Sequence, residues 1–330
     1  MMMPPARAVP RVDANHSVVE RLAAAWPRRA TVRTSGADLF PEDWDAAVPD
    51  YPLGLVPFGE HPDFVEAPAD QRQLVLTLAW LAYNERVITA EDHVANPAFA
   101  MVQRGVFPGA DTPALRSVVQ QTLVDEHWHT HVHHLAMDNT RRVRGVDAQD
   151  WFPPSVTYRA LLAEQAEASE VWERDLLTLL WTVVSEISIN ALLSLLAGDD
   201  TIQPLHRTVT SMHARDERAH GSVMVEVTKA VWGHLDPRQR DRFVSGFPRA
   251  VQAFSAEDYS AWAVIVERAG LAGGREMLAD SRGRGLVRDY SGLERLAHQL
   301  GIADRVEMEF PAAPAGVREL AEEDHDGECQ

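Results

Sequence analysis

Apolar positions recur with a helical period along most of the chain, and one run is apolar on nearly every side. Between Leu176 and Ala197 the sole charged residue is Glu186. A run of that length could cross a bilayer. A mid-span carboxylate, with the polar Thr178, Thr182, Ser185, Ser188, Asn190 and Ser194, points instead to a helix in a protein core. The same period and its punctuation predict further long helices. One runs from about Pro68 to Ala95 and ends before Pro97. A second starts near Pro113 and passes His134, and another opens at Pro204 and reaches Trp232. A shorter helix starts at Ser155, and Asp236-Pro237 begins one that Pro248 should kink or break. Segments 255–270, 274–280 and 291–300 read as helices joined by glycine-rich turns, and Ser17 is placed to cap a short helix that Pro27 closes after Trp26. The proline-studded stretch from Pro41 to Pro62, with Trp44, Tyr51 and Phe58 interleaved, reads as an ordered loop draped over the core. No stretch alternates with a strand period, so the expected class is all-α. One domain over 1–330 is expected, with mobile ends at 1–15 and 311–330.

Composition narrows the partners. The chain has 330 residues, 45% of them hydrophobic, ample for a sizeable core. Its formal net charge of −18 repels phosphate backbones, so nucleic acid is not an expected partner. Part of that acidity can be internal, because carboxylates that hold a cation are neutralised in the folded protein. Cys329, the single cysteine, lies in a polar tail, so neither disulfides nor a thiolate metal site is available. Residues 1–11 lack an apolar stretch of signal-peptide length, and a reducing cytoplasm is the expected location.

The chemistry lies in two echoing stretches. In His213-Ala-Arg-Asp-Glu217-Arg-Ala-His220, positions i, i+4 and i+7 share one helix face, so His213, Glu217 and His220 aim together while Arg215 and Arg218 do not. Asp216-Glu217-x-x-His220 is matched by Asp125-Glu126-x-x-His129. Four long helices thus carry Glu91 or Glu85, Glu126 with His129, Glu186, and Glu217 with His220. This order is that of the ferritin-like dimetal carboxylate proteins, a four-helix bundle core in which two helices each give a Glu and two each give Glu-x-x-His. Further helices flank it. Hard carboxylates with imidazoles suit two iron ions, with manganese second and zinc disfavoured without thiolates. The ions are expected roughly 3.5–4 Å apart. Asp125 and Asp216 precede His129 and His220 by four residues, within reach on the same helix to accept the imidazole N–H that does not face metal. His127, His131 and His134 lie off the Glu126 face, whereas His133 shares the face of His129 without being needed as a ligand. The zincin order His-Glu-x-x-His, a helical His-Asp doublet, Gly-x-Gly-x-x-Gly and the P-loop are all missing.

The stretches Tyr83-Asn-Glu-Arg-Val-Ile-x-x-Glu91, Val124-Asp-Glu-x-x-His-Thr130, Glu186-x-x-Ile-Asn-Ala-Leu-Leu193, His213 to Gly221, and Leu286-Val-Arg-Asp-Tyr-Ser-Gly292 together resemble the p-aminobenzoate N-oxygenase family, over about Trp26 to Phe310. These are non-haem di-iron arylamine oxygenases that make aromatic nitro groups in polyketide biosynthesis. The resemblance implies seven ligands, Glu91, Glu126, His129, Glu186, His213, Glu217 and His220, and so decides for Glu91 over Glu85. It implies Arg288 as the anchor of a substrate carboxylate, where a guanidinium gives a two-pronged contact, and Tyr83 as a substrate contact. Ala90 departs from the family, standing where a small hydroxyl residue is usual. The implied reaction takes p-aminobenzoate through hydroxylamine and nitroso stages to p-nitrobenzoate, using O2 and an external electron donor, with Leu179 and Leu192 among the apolar walls. A homodimer without nucleic-acid or membrane partners is the expected assembly. Two rival readings are a dimetal oxidase acting on carbon and a ferritin-like metal-binding protein without a substrate.

Overall fold

A computed structural model describes residues 14–34, 44–147, 152–281 and 290–306. Among them all regular structure is helical. In chain order the helices are α1 (Ala14–Arg29), α2 (Thr31–Thr34), α3 (Pro62–Glu66), α4 (Ala69–Ala90), α5 (Asn96–Gln103), α6 (Pro113–Arg144), α7 (Val156–Glu167), α8 (Val171–Ala197), α9 (Pro204–Trp232), α10 (Pro237–Ser255), α11 (Tyr259–Arg268), α12 (Gly274–Asp280) and α13 (Ser291–Gln299). The ends expected to be mobile fall almost entirely outside the described residues, as does Arg288.

The long helices end where their caps dictate. Thr112 accepts from the Leu115 N–H with Pro113 at the first position of α6, and Gly145 closes that helix with φ 66°. Glu170 and Glu173 form a reciprocal capping box that starts α8 earlier than the apolar run alone suggests.

Helix α4 with α5 packs on α6, α6 on α9, α9 on α8, and α8 back on α5 and on the turn Glu91–Ala95 that joins it to α4, closing a four-helix ring. Two apolar cores fill it. One gathers Phe99 of α5, Val118 of α6, Leu180 of α8 and Val227 of α9; the other gathers Trp80 of α4, Met137 of α6, Leu193 of α8 and Val209 of α9. Read along the sequence, α6 and α8 run from the first core to the second, while α4 and α9 run the other way. Neighbours are therefore antiparallel, and the connection through α7 is the long crossover of ferritin-like bundles. Helix α8 is buried between its neighbours, so its apolar surface serves the bundle. The proline-rich stretch before α4 packs inward through the buried Tyr51, Val56 and Phe58.

Pro97 and Pro27 behave differently from expectation, and of the two outcomes open for Pro248 the break does not occur. The helical path does not stop before Pro97: α4 ends at Ala90, Glu91–Ala95 forms a π-turn in which the Asn96 N–H reaches the Glu91 carbonyl, and the chain continues into α5 with Pro97 in its first turn. Such a turn absorbs one extra residue, and it is often found at functional sites. Pro27 lies inside α1 rather than closing it; its missing N–H frees the Ala23 carbonyl, which accepts from Gln121 Nε2 at 3.3 Å instead. Pro248 neither breaks nor ends α10, whose buried Phe243, Phe247, Val251 and Phe254 hold the helix against α8. For Pro27 and Pro248, both inside a helix, tertiary contact outweighs a local penalty of about 3 kcal/mol.

Candidate metal centre

Between the two apolar cores lies a polar layer to which each long helix contributes at mid-length. Glu91, Glu126, His129, His213 and Glu217 form one group whose ligand atoms lie within 4.8 Å of one another, and Glu126, Glu186, Glu217 and His220 form a second. All seven residues are buried. Glu126 and Glu217 belong to both groups, so the two groups form one continuous buried cluster that could hold metal. The π-turn begins at Glu91 itself. Glu85, the alternative left open by spacing, faces Arg141 at 3.5 Å instead.

Helix α9 meets α8 closely at this level. A Cβ on Gly221 would sit 3.1 Å from the Glu186 carbonyl oxygen, so glycine next to His220 lets the two backbones approach.

The ring nitrogens divide into inward and outward sets. His220 Nδ1 lies 2.8 Å from both Glu126 Oε1 and Glu217 Oε1. His129 Nδ1 lies 3.1 Å from Glu126 Oε2 and 3.5 Å from Glu217 Oε1. His213 Nε2 lies 3.2 Å from Glu91 Oε1 and 3.3 Å from Glu217 Oε1. Oε2 of Glu91, Oε1 of Glu126, Oε2 of Glu186, Oε2 of Glu217 and Nε2 of His213 are nonetheless buried without a well-formed hydrogen bond among the described residues. Leaving one such atom buried and unpaired costs at least 1–3 kcal/mol, roughly, so five of them in one buried cluster fit a bound cation.

Electrostatics say the same. Burial, then repulsion from Glu126, pushes the Glu91 carboxyl well above the usual range, and burial with the charges of Glu126 and Glu217 does the same to Glu186. Against the cost of burial, the charge of His220 draws Glu126 well below that range. Burial also opposes His129, yet hydrogen bonds to Asp216 and Glu126 raise it to about 9, and Glu126 and Glu217 raise His220 well above its ordinary value. The buried carboxylates demand positive charge, which a metal ion would supply.

The outward nitrogens meet aspartates, in crossed pairs. His129 Nε2 is 3.2 Å from Asp216 on α9, and His220 Nε2 is 3.2 Å from Asp125 on α6. The same-helix pairing expected from the four-residue spacing is thus replaced by one across the bundle. With Nδ1 turned to the centre, Nε2 on the far side of each ring projects past its own helix towards the neighbouring one.

The segment before the bundle holds these aspartates. Trp26 Nε1 donates to Asp125 at 2.9 Å, and the Thr31 hydroxyl and backbone N–H donate to Asp216 at 2.6 and 3.1 Å. Arg29 stands between them, 3.6 Å from Asp125 and 3.7 Å from Asp216. No spacing rule flagged Trp26, Arg29 or Thr31, since their partners lie far away in sequence. His133 is likewise engaged, with Asn84 on one side and His213 on the other. It enters neither ligand group, and His127, His131 and His134 are exposed on the outer face of α6.

Beside α4 a cavity of about 290 Å³ has an aromatic-rich lining that includes Tyr51, Tyr83, Phe152, Tyr158 and Trp262. Tyr83 is 6% exposed, its hydroxyl has no hydrogen-bond partner among the described residues, and its ring centre lies 6.4 Å from that of His133. It therefore stands between the cavity and the buried carboxylate and imidazole layer. Leu192 also lines this cavity, whereas Leu179 is packed in the first core.

A sequence profile described as P-aminobenzoate N-oxygenase AurF matches residues 12–301. The chain belongs to the p-aminobenzoate N-oxygenase family. It is 48% identical over 300 residues to the 4-aminobenzoate N-oxygenase of Streptomyces thioluteus, an overlap of 89% of either chain. The matched span contains the whole buried centre and Arg288.

Proposed function

We propose that the protein is a di-iron N-oxygenase that converts p-aminobenzoate to p-nitrobenzoate through the hydroxylamine and nitroso compounds. The observation that carries this reading is the pair of ligand groups sharing Glu126 and Glu217, in a chain of this family. Glu91, His129 and His213 would complete the hold on one ion, and Glu186 and His220 on the other. Iron suits the all-oxygen-and-imidazole donor set better than zinc, and manganese comes second. When bound, the metal pair supplies O2 activation and one-electron chemistry, with electrons drawn from an external donor.

The chain's own residues do the rest. Asp125 and Asp216 orient His220 and His129 and raise their basicity. The apolar cores above and below the polar layer exclude water from it. The aromatic cavity, roomy enough for a substituted benzene ring, would hold the arylamine with Tyr83 at the metal-facing wall, and Arg288 would receive its carboxylate. A homodimer working in the cytoplasm is the assembly we propose.

The test is reconstitution with ferrous iron, a reductant and O2, followed by mass spectrometry. Conversion of p-aminobenzoate to p-nitrobenzoate, with transient hydroxylamine, is expected. Fully metal-loaded protein that consumes O2 but leaves anilines untouched would favour oxidation at carbon, and loading of many ions per chain would favour metal storage.

A further inference from the structure

Of the three inward-facing imidazoles, His213 is backed differently. His129 and His220 each place Nε2 on an aspartate. His213 turns Nδ1 outward to His133 Nε2 at 2.9 Å, and His133 Nδ1 lies 2.6 Å from Asn84 Oδ1. The Asn84 amide nitrogen in turn donates to the Trp80 backbone carbonyl at 2.6 Å. All three side chains in this chain of contacts are fully buried.

The direction of every link follows from its last member. A backbone carbonyl only accepts, so the NH2 end of Asn84 faces Trp80 and the amide oxygen faces His133. That oxygen also only accepts, so His133 carries its proton on Nδ1. Neutral His133 then offers a lone pair at Nε2, and His213 must donate from Nδ1. The proton-free Nε2 of His213 is left facing Glu91 and Glu217 at 3.2 and 3.3 Å.

We propose that His133, oriented by Asn84, is the positioning residue for His213, fixing its ring and its metal-binding tautomer through a neutral chain in place of the aspartate that serves the other two histidines. The inference rests on the reading of the buried layer as a metal centre. A neutral acceptor raises ligand basicity less than a carboxylate does, so His213 is the weakest donor of the three.

The experiment uses the full chain with zinc as a diamagnetic probe. Zinc affinity is measured by competition with a chelating dye, and histidine tautomers by 15N NMR of histidine-labelled protein. The variants are His213→Ala, His133→Leu and His133→Gln, since an amide at position 133 can both accept from His213 and donate to Asn84. In the wild type, His213 should be protonated at Nδ1 and zinc-bound at Nε2. His133→Leu should weaken zinc binding roughly 10- to 100-fold, the usual effect of losing an outer partner, approaching the loss in His213→Ala, while His133→Gln stays within a few-fold of wild type. Wild-type affinity and tautomer in His133→Leu, beside weakened binding in His213→Ala, would overturn the positioning role and leave the metal centre standing. Wild-type affinity in His213→Ala would remove His213 from the ligand set and the inference with it. Should His133→Leu not fold, the wild-type spectrum decides alone: His213 protonated at Nε2 in the zinc-loaded protein sinks the proposal.

Discussion

Asp125 pairs with His220, 95 residues away on α9, at 3.2 Å, and passes over His129 four residues along its own helix. The reciprocal pair joins Asp216 of α9 to His129 of α6. Each doublet therefore supplies a glutamate and a histidine to the buried centre and the outer partner for the opposite doublet's histidine. The two halves of the site are tied to each other by charge-assisted hydrogen bonds, and Arg29 braces both aspartates from outside.

The crossing predicts which part of the centre each aspartate controls. In Asp125→Asn the damage should fall on His220 and the group it shares with Glu186. Metal affinity should drop about 10- to 100-fold. Mössbauer spectra of the 57Fe-loaded variant should show one iron environment changed more than the other, and Asp216→Asn should reverse the pattern. The same environment perturbed in both variants would show that the crossing has no functional consequence.

Gly221 should tolerate no side chain of size. Its missing Cβ lies 3.1 Å from a backbone carbonyl, which cannot swing aside as a flexible side chain can. Gly221→Val should separate α8 from α9 beside Glu186, lowering stability by about 1–3 kcal/mol, the usual cost of overpacking. It should also reduce bound iron below the wild-type ratio. Thermal melts and metal analysis on one preparation check both, and unchanged values would mean that the helices part without cost.

Acid sensitivity should have a source away from the metal layer. Burial depresses His206 from 6.5 to about 3, and its Nδ1 donates to the Asp50 carbonyl at 2.8 Å. Its folded value lies below its unfolded one, so its contribution is full above pH 6.5 and is lost as the pH falls from 6.5 through 3. About 2 kcal/mol of it should be gone by pH 5. His206→Gln should be less stable than wild type at pH 8, with the gap narrowing by about that amount at pH 5 in denaturant titrations. A gap independent of pH would contradict the assignment.

Tyr83 offers a hydroxyl with no partner among the described residues, and burial pushes its pKa well above the ordinary value. Removing an unpaired buried hydroxyl costs little or nothing in stability. Tyr83→Phe should melt at or above the wild-type temperature yet show a raised KM for p-aminobenzoate. A large fall in Tm with unchanged KM would make Tyr83 a packing residue.

Arg288 is tested by substrate choice. If it receives the carboxylate, Arg288→Ala should lower kcat/KM for p-aminobenzoate by roughly two orders of magnitude, the scale of breaking a buried charge pair. An aniline with an uncharged para group should be turned over nearly as well as before. Equal losses on both would assign Arg288 to the fold and leave the arylamine unspecified.

The sequence by itself determined whatever depends on spacing within one helix. Glu126 with His129, and Glu217 with His213 and His220, share a face because three-, four- and seven-residue separations return to the same side of a helix. The single carboxylate Glu186 was legible because apolar neighbours marked its helix as buried. Alternatives on one helix, such as Glu85 and Glu91, were not separable by periodicity and needed the family's pattern. Only the tertiary structure decided what crosses between elements. It set the exchange of aspartates between α6 and α9, the brace from Trp26, Arg29 and Thr31, and the chain from Asn84 through His133 to His213. It also decided the prolines, since the π-turn before Pro97 and the Gln121 contact that satisfies Ala23 depend on neighbours a local rule cannot see. The physical reason is one of range: helical periodicity acts over one or two turns, whereas the outer hydrogen bonds of this centre are made by partners 49 to 185 residues apart that only the packed bundle brings within reach.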